Sequence, residues 1–128
     1  MDVSHAIVQI RTTNLAESIH FYTRQLGFEL DFQYEDFYAG IKVSDDQFIH
    51  LKLVYDPDPS IEYVQGGGHQ HLFFMVANAD AAAQQLKSAG VKFHSELATT
   101  PRGSKEFYVL DNQGHTLCFS EETEASTV

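Results

Sequence analysis

Three imidazoles and one thiol sit in stretches that read as extended strands. His5 lies in His5-Ala6-Ile7-Val8-Gln9-Ile10-Arg11, and His50 lies between Gln47 and Val54. His71 opens the stretch to Ala77, and Cys118 lies between His115 and Ser120. Successive side chains of a strand point to opposite faces. In the first stretch Ala6, Val8 and Ile10 form an apolar set, so His5, Ile7, Gln9 and Arg11 face the other way. In the second, Ile49, Leu51 and Leu53 oppose Phe48, His50, Lys52 and Val54. In the last, Leu117 and Phe119 oppose Thr116, Cys118 and Ser120. The second set on each strand mixes an apolar wall with imidazoles, a thiol and the polar Gln9, Lys52 and Ser120, which is the make-up of a small-molecule pocket. Lys52 is the telling cation, because a lysine facing a pocket needs a partner or a ligand.

Phe48, Phe73, Met75, Phe107 and Tyr108 can line such a pocket or belong to the core, and both readings stand open. Arg102 and Lys105 precede the seventh strand, where they can clamp an anionic group or simply be solvated. The ligand-binding candidates are Gln9, Phe48, Lys52, Phe73, Phe107 and Arg102. No serine-histidine-acid order or paired-cysteine zinc motif is present. Gly66-Gly67-Gly68 does not open a helix, as a phosphate-cradling loop must.

The elements that must position these residues are written twice. Asn14 caps a helix, with Glu17 completing a capping-box-like pair. Leu15, Ile19, Tyr22 and Leu26 follow at helical spacing, and Gly27 ends the run. Strand-like stretches come next at Phe28 to Tyr34, Phe37 to Val43 and Gln47 to Val54. After the strand at His71, Asn78 or Asp80 caps a second helix carrying Ala79, Ala82, Ala83 and Leu86 on one face, ended by Gly90. Strands follow at Val91 to Glu96, Lys105 to Leu110 and His115 to Ser120, with a turn at Asp111-Asn112-Gln113-Gly114. The two asparagine caps stand 64 residues apart and the two glycines 63. The strand from His71 is apolar on both sides, which predicts a central strand buried on both faces.

The fold class is therefore α+β. Two tandem β-α-β-β-β modules form a curved mixed sheet with a concave ligand face and the helices outside. The chain is one domain, residues 1–128, with module one at about 1–56 and a linker at about 57–68 marked by Asp56-Pro57-Asp58-Pro59-Ser60. Module two runs over about 69–120, and an acidic tail, 121–128, is expected to fray. His69 reads as a loop residue and His20 as solvated, and His94 and His115 are given no role.

Composition bounds the partners. The chain has 128 residues, a formal charge of −10 and a 43% hydrophobic share, which suits one globular domain without staples. The acidic balance argues against nucleic acid. No apolar run reaches the roughly 20 residues of a membrane span, and no signal peptide is evident. Cys118 has no partner for an intrachain disulfide, which fits a reducing, cytoplasmic setting.

The stretch Asn14-Leu15-Ala16-Glu17-Ser18-Ile19-His20-Phe21-Tyr22, continued by Leu26-Gly27-Phe28, resembles the "DLERSIxFYxxxLGF" segment of the vicinal oxygen chelate superfamily. That group covers glyoxalase I, the bleomycin-resistance and fosfomycin-resistance proteins and the extradiol dioxygenases. His71 to Val76, Leu86-Lys87-Ser88-Ala89-Gly90-Val91, Pro101-Arg102-Gly103, Glu106-Phe107 and Asp111-Asn112-Gln113-Gly114-His115 extend the likeness over nearly the whole chain. The resemblance implies the paired modules and a homodimer.

It also implies up to four metal-ligand positions, which fall on Ile7, His50, His71 and Cys118. Glyoxalase I has His, Glu, His, Glu there, so its carboxylate base is missing, and the dioxygenases and fosfomycin enzymes need a glutamate where Cys118 stands. His50, His71 and Cys118 can still form a nitrogen–sulfur site for Zn, Ni, Mn or Fe, with His5 reaching in from one pleat earlier. The alternative is a strand-opening histidine and a small buried thiol. Two functions follow. One is a metal-free small-molecule-binding protein like the bleomycin-resistance branch. The other is a divalent-metal-dependent lyase, isomerase or dioxygenase.

Overall fold

A computed structural model of the chain describes residues 1–65 and 71–121, apart from the side chain of His71. Gly66 to Gly68, His69 and the tail from 122 onward, read above as linker, loop and frayed end, lie outside the described residues. The chain divides into two compact units, Met1–Tyr63 and Val64–Val128.

The first unit carries β1 (Val8–Thr12), α1 (Leu15–His20), β2 (Glu29–Tyr34), β3 (Tyr38–Ser44) and β4 (Gln47–Leu53) in the sheet order β1-β4-β3-β2. β1 runs parallel to β4, and the other pairs are antiparallel. α1 begins where Asn14 Oδ1 accepts from the Glu17 amide at 3.0 Å, and Asn14 Nδ2 returns to the Glu17 carboxylate. It runs into a π-helical turn, Phe21–Gln25, that turns both Phe21 and Tyr22 inward. Gly27 closes the run at φ 84°, a conformation that side chains resist. Ile10, Ala39, Ile41, Ile49 and Leu51 form the buried face under the helix.

The second unit repeats the plan with β5 (His71–Met75), α3 (Ala79–Ser88), β6 (Phe93–Thr99), β7 (Lys105–Leu110) and β8 (Thr116–Glu121), ordered β5-β8-β7-β6. Asn78, not Asp80, is the cap, accepting from the Ala81 amide at 2.9 Å. Gly90 closes the helix at φ 81°. The architecture is thus two four-stranded mixed sheets with helices, and neither sheet closes into a barrel.

Three expectations are corrected. β5 is an edge strand, with Phe73 and Met75 exposed at 50% and 58%, not a central one. Its two-sided apolar pattern imitates burial that the strand order does not supply. β1 begins at Val8, so His5 and Ile7 precede it, both exposed. The proline-marked stretch contains a short helix, α2 (Pro59–Gln65). Asp58 accepts from the Ser60 amide and hydroxyl at its start, proline suits a first helical turn, and Ile61 and Val64 are buried.

Candidate functional site

In each module the helix covers one face of the sheet, and Gln9, Phe48, His50, Lys52, Phe73 and Cys118 belong to the other, here called the open face. On the first module that face reads as three rows across the strands. Arg11, Lys52, Tyr38 and Tyr34 form one row, and Gln9, His50, Gly40 and Phe32 the next. Phe48, Lys42 and Glu29 form the third.

The middle row, joined by Tyr38 from the row beside it, is a connected cluster. Gln9 Nε2 donates to Tyr38 Oη at 3.2 Å, and Tyr38 Oη lies 2.9 Å from His50 Nδ1. Phe32 stands edge-on to His50, with centroids 5.3 Å apart, and lies near-parallel to Tyr38 at 6.2 Å and 21°. Gly40 makes room for this. A Cβ at that position would stand 2.2 Å from the Phe32 ring, far inside contact distance. Only glycine lets Phe32 lie across the sheet. Tyr38 thus holds one imidazole nitrogen, and Phe32 (39% exposed) offers an accessible aromatic surface beside it.

The second module's open face is furnished differently. Its rows set Phe73 beside Cys118 and Tyr108, and Met75 beside Ser120 and Glu106. Glu106 is buried, and its Oε2 accepts from Arg102 at 2.7 Å and from the hydroxyls of Ser104 and Ser120 at 3.1 Å each. Tyr108 donates to Oε1 at 3.4 Å. A buried carboxylate held by four donors is a structural anchor as built. Beside it Cys118 is fully buried, and burial, reinforced by the Glu106 charge, pushes its thiol up to about 11. Burial first, then the neighbouring thiol and carboxylate, push Tyr108 up to about 12. Both groups are therefore held in their protonated forms.

The sequence candidates fall as follows. Gln9, His50, Lys52 and Phe48 share the first module's open face, and Gln9 stands directly beside His50 in register. His5 and Ile7 lie outside that strand. Phe73 is the register neighbour of Cys118, whereas His71 pairs with Thr116. Phe107 is fully buried on the helix-facing side, stacked between Phe93 and Phe119 at 4.8 and 5.2 Å, so it packs in the core. Arg102 is committed to Glu106. Sequence reasoning passed over Phe32, Tyr38 and Glu106. The signals were a glycine facing an aromatic across a hairpin and a glutamate, Glu106, entering the strand just before the apolar run Phe107 to Leu110.

Among the described residues no group of three or more His, Cys, Asp or Glu side chains is arranged to hold a metal ion. The side chain of His71, expected in the metal set with His50, Cys118 and His5, lies outside the described residues. A cleft of about 160 Å³ between Gly27, Lys42 and Asp45 contains none of the candidates. It is smaller than the roughly 300 Å³ of a typical ligand pocket. No helix among the described residues is long and apolar enough to cross a membrane.

No curated protein matches the chain. Solved structures do. UcmS2 superposes with a TM-score of 0.78 at 22% identity, covering 94% of this chain and 98% of that one. A lactoylglutathione lyase from Agrobacterium tumefaciens gives 0.73 at 16% identity, covering 94% and 95%. The bleomycin-binding protein of bleomycin-producing Streptomyces verticillus, solved with copper(II)-bleomycin, gives 0.71 at 20% identity, covering 96% and 99%. At these identities the likeness speaks for the fold alone. Residues 3–119 match the family model of the Glyoxalase/Bleomycin resistance protein/Dioxygenase superfamily, and the chain belongs to that superfamily.

Proposed function

We propose that the protein binds a small molecule without a resident metal, in the manner of the bleomycin-resistance branch, and sequesters it against the open faces of its sheets. The observation that carries this reading is the cluster of Gln9, Tyr38, His50 and Phe32. It offers a positioned imidazole beside accessible aromatic surface, and Gly40 is spent on keeping Phe32 there. The solved bleomycin-binding protein of the same fold supports a ligand rather than a macromolecule as partner. Calorimetric titration with naphthalene derivatives of differing charge tests it. Binding of any of them that is lost in Phe32→Ala and His50→Ala is expected, and absence of binding throughout overturns the reading.

The second reading, a divalent-metal-dependent lyase, isomerase or dioxygenase, is favoured by one observation. Tyr38 on His50 Nδ1 is the kind of contact that orients a metal-bound imidazole. That site would also need His71 and would draw on Cys118 and His5. Metal analysis of untagged protein, before and after dialysis against mixed divalent metals, separates the two. Stoichiometric metal that disappears in His71→Ala overturns the metal-free reading. The family resemblance further supports a homodimer, and the lone cysteine, Cys118, a reducing, cytoplasmic setting. Light scattering that returns a clean monomer near 14.4 kDa would overturn the dimer.

A further inference from the structure

We infer that the open face of the first module selects an anionic aromatic compound, a flat ring bearing a carboxylate or similar anion. This rests on the small-molecule reading above and names the ligand class for that same face.

The argument begins with charge. The chain holds 18 acidic and 8 basic residues, so its overall field favours cations. The open face of the first module runs against that field. Arg11 and Lys52 are register partners on adjacent strands and point to the same side. Like charges set side by side across a sheet repel, so the pairing needs a compensating anion. Arg11 has one in Asp58, 3.5 Å away. Lys52 is exposed and forms no hydrogen bond or ion pair with any described residue. Its register neighbours are Arg11 on one side and the neutral Tyr38 on the other.

Spacing supplies the second half. Lys52 and His50 are two residues apart on β4, which separates their rows by about 7 Å along the strand. A carboxylate on a fused aromatic ring pair has its oxygens roughly 5 Å from the ring centre, and a hydrogen bond of about 2.8 Å to the lysine ammonium covers the rest. A ring resting on Phe32 and beside His50 would therefore place its anion at Lys52. A ligand of the same shape carrying an ammonium would meet Lys52 and Arg11 instead, and pay for it in repulsion.

The test uses three probes of matched shape: 2-naphthoate, 2-naphthalenemethanol and 2-naphthylmethylammonium, titrated calorimetrically into the full-length protein. Naphthoate is expected to bind about tenfold more tightly than the alcohol, the scale of one charge-assisted hydrogen bond, and the ammonium most weakly. Lys52→Gln, an exposed substitution, should erase most of that advantage, weakening naphthoate far more than the alcohol, whereas Lys52→Arg should keep it. If the alcohol or the ammonium binds as tightly as naphthoate, or if Lys52→Gln leaves naphthoate binding intact, the inference is overturned while the binding reading survives. If none of the three binds, both fall together.

Discussion

The two modules share strand order, helix placement and asparagine caps, yet they use their open faces in opposite ways. The first keeps its polar groups near the surface. Lys52 is exposed, His50 is half-buried, and Phe32 stays accessible above a glycine. The second turns its polar groups inward. Glu106, Ser120 and Cys118 are buried, and exposed apolar side chains, Phe73 and Met75, occupy the edge strand. A duplicated scaffold thus separates two demands. One face keeps its imidazole, lysine and aromatic ring accessible, and the other uses its carboxylate to hold β7 and β8 together. If so, substitutions in the second module should act mainly on stability and those in the first mainly on binding.

The largest effect is expected in the second module's core. Phe107→Ala removes the middle ring of the Phe93–Phe107–Phe119 stack and should cost about 3–5 kcal/mol, read as a shift of the urea midpoint. Phe48→Ala, on the first module's open face and only half-buried, should cost about 1 kcal/mol. Equal costs for the two would break the comparison. Glu106→Ala comes next, at about 3 kcal/mol, because it orphans the buried Ser120 hydroxyl and the charge of Arg102, while Ser104 keeps its bond to Thr100. Arg102 is half-exposed and can return to water, which holds the cost at the low end of the range for a broken buried pair. Binding of a naphthalene probe should persist in Glu106→Ala protein that remains folded; its loss there would place the second module's carboxylate in the site.

How much of this was legible beforehand divides along the same line. The Asn14 cap and the glycine helix ends follow from local chemistry and are visible within a few residues. The second cap is narrowed to Asn78 or Asp80, and their recurrence 63 to 64 residues on marks the repeat. The alternation of β4 likewise placed His50 and Lys52 on one face and Ile49 and Leu51 on the other. Strand order was not legible. β5 is apolar on both sides whether it lies at the centre or at the edge, and only pairing decides which. Glu106 escaped notice because its donors come from a turn and from Ser120, 14 residues away. Phe107 and Tyr108 illustrate the remaining limit. Adjacent residues on a strand cannot share a face, but composition alone does not say which one the helix covers.

Gly40→Ala sharpens the comparison at smaller cost. The new methyl cannot coexist with Phe32 in its place, and the ring, being accessible, can swing away. The expected cost is about 1 kcal/mol, from lost ring contacts with Tyr38 and His50. The double variant Gly40→Ala/Phe32→Ala should be no less stable than Phe32→Ala alone. Additive losses in that cycle would show that Gly40 serves the backbone rather than the ring.

The smallest effect is a pH dependence confined to the second module. Cys118 rises from 9.0 to about 11 and Tyr108 from 10.0 to about 12 in the folded chain. The folded state therefore holds these protons more tightly than the unfolded one. Their contribution to stability is complete below pH 9 and drains away as pH climbs, over 9 to 11 for the thiol and 10 to 12 for the phenol. Urea midpoints should accordingly fall across that window in the wild type, and less steeply in Cys118→Ala, where only the Tyr108 part remains. Alkylation by iodoacetamide gives an independent reading. The buried, protonated thiol should react far more slowly in the native protein than in urea, because the thiolate is the nucleophile. A native rate matching the unfolded one would place Cys118 within reach of solvent, and the contrast between accessible polar groups on the first face and buried ones on the second would fail at its most sensitive residue.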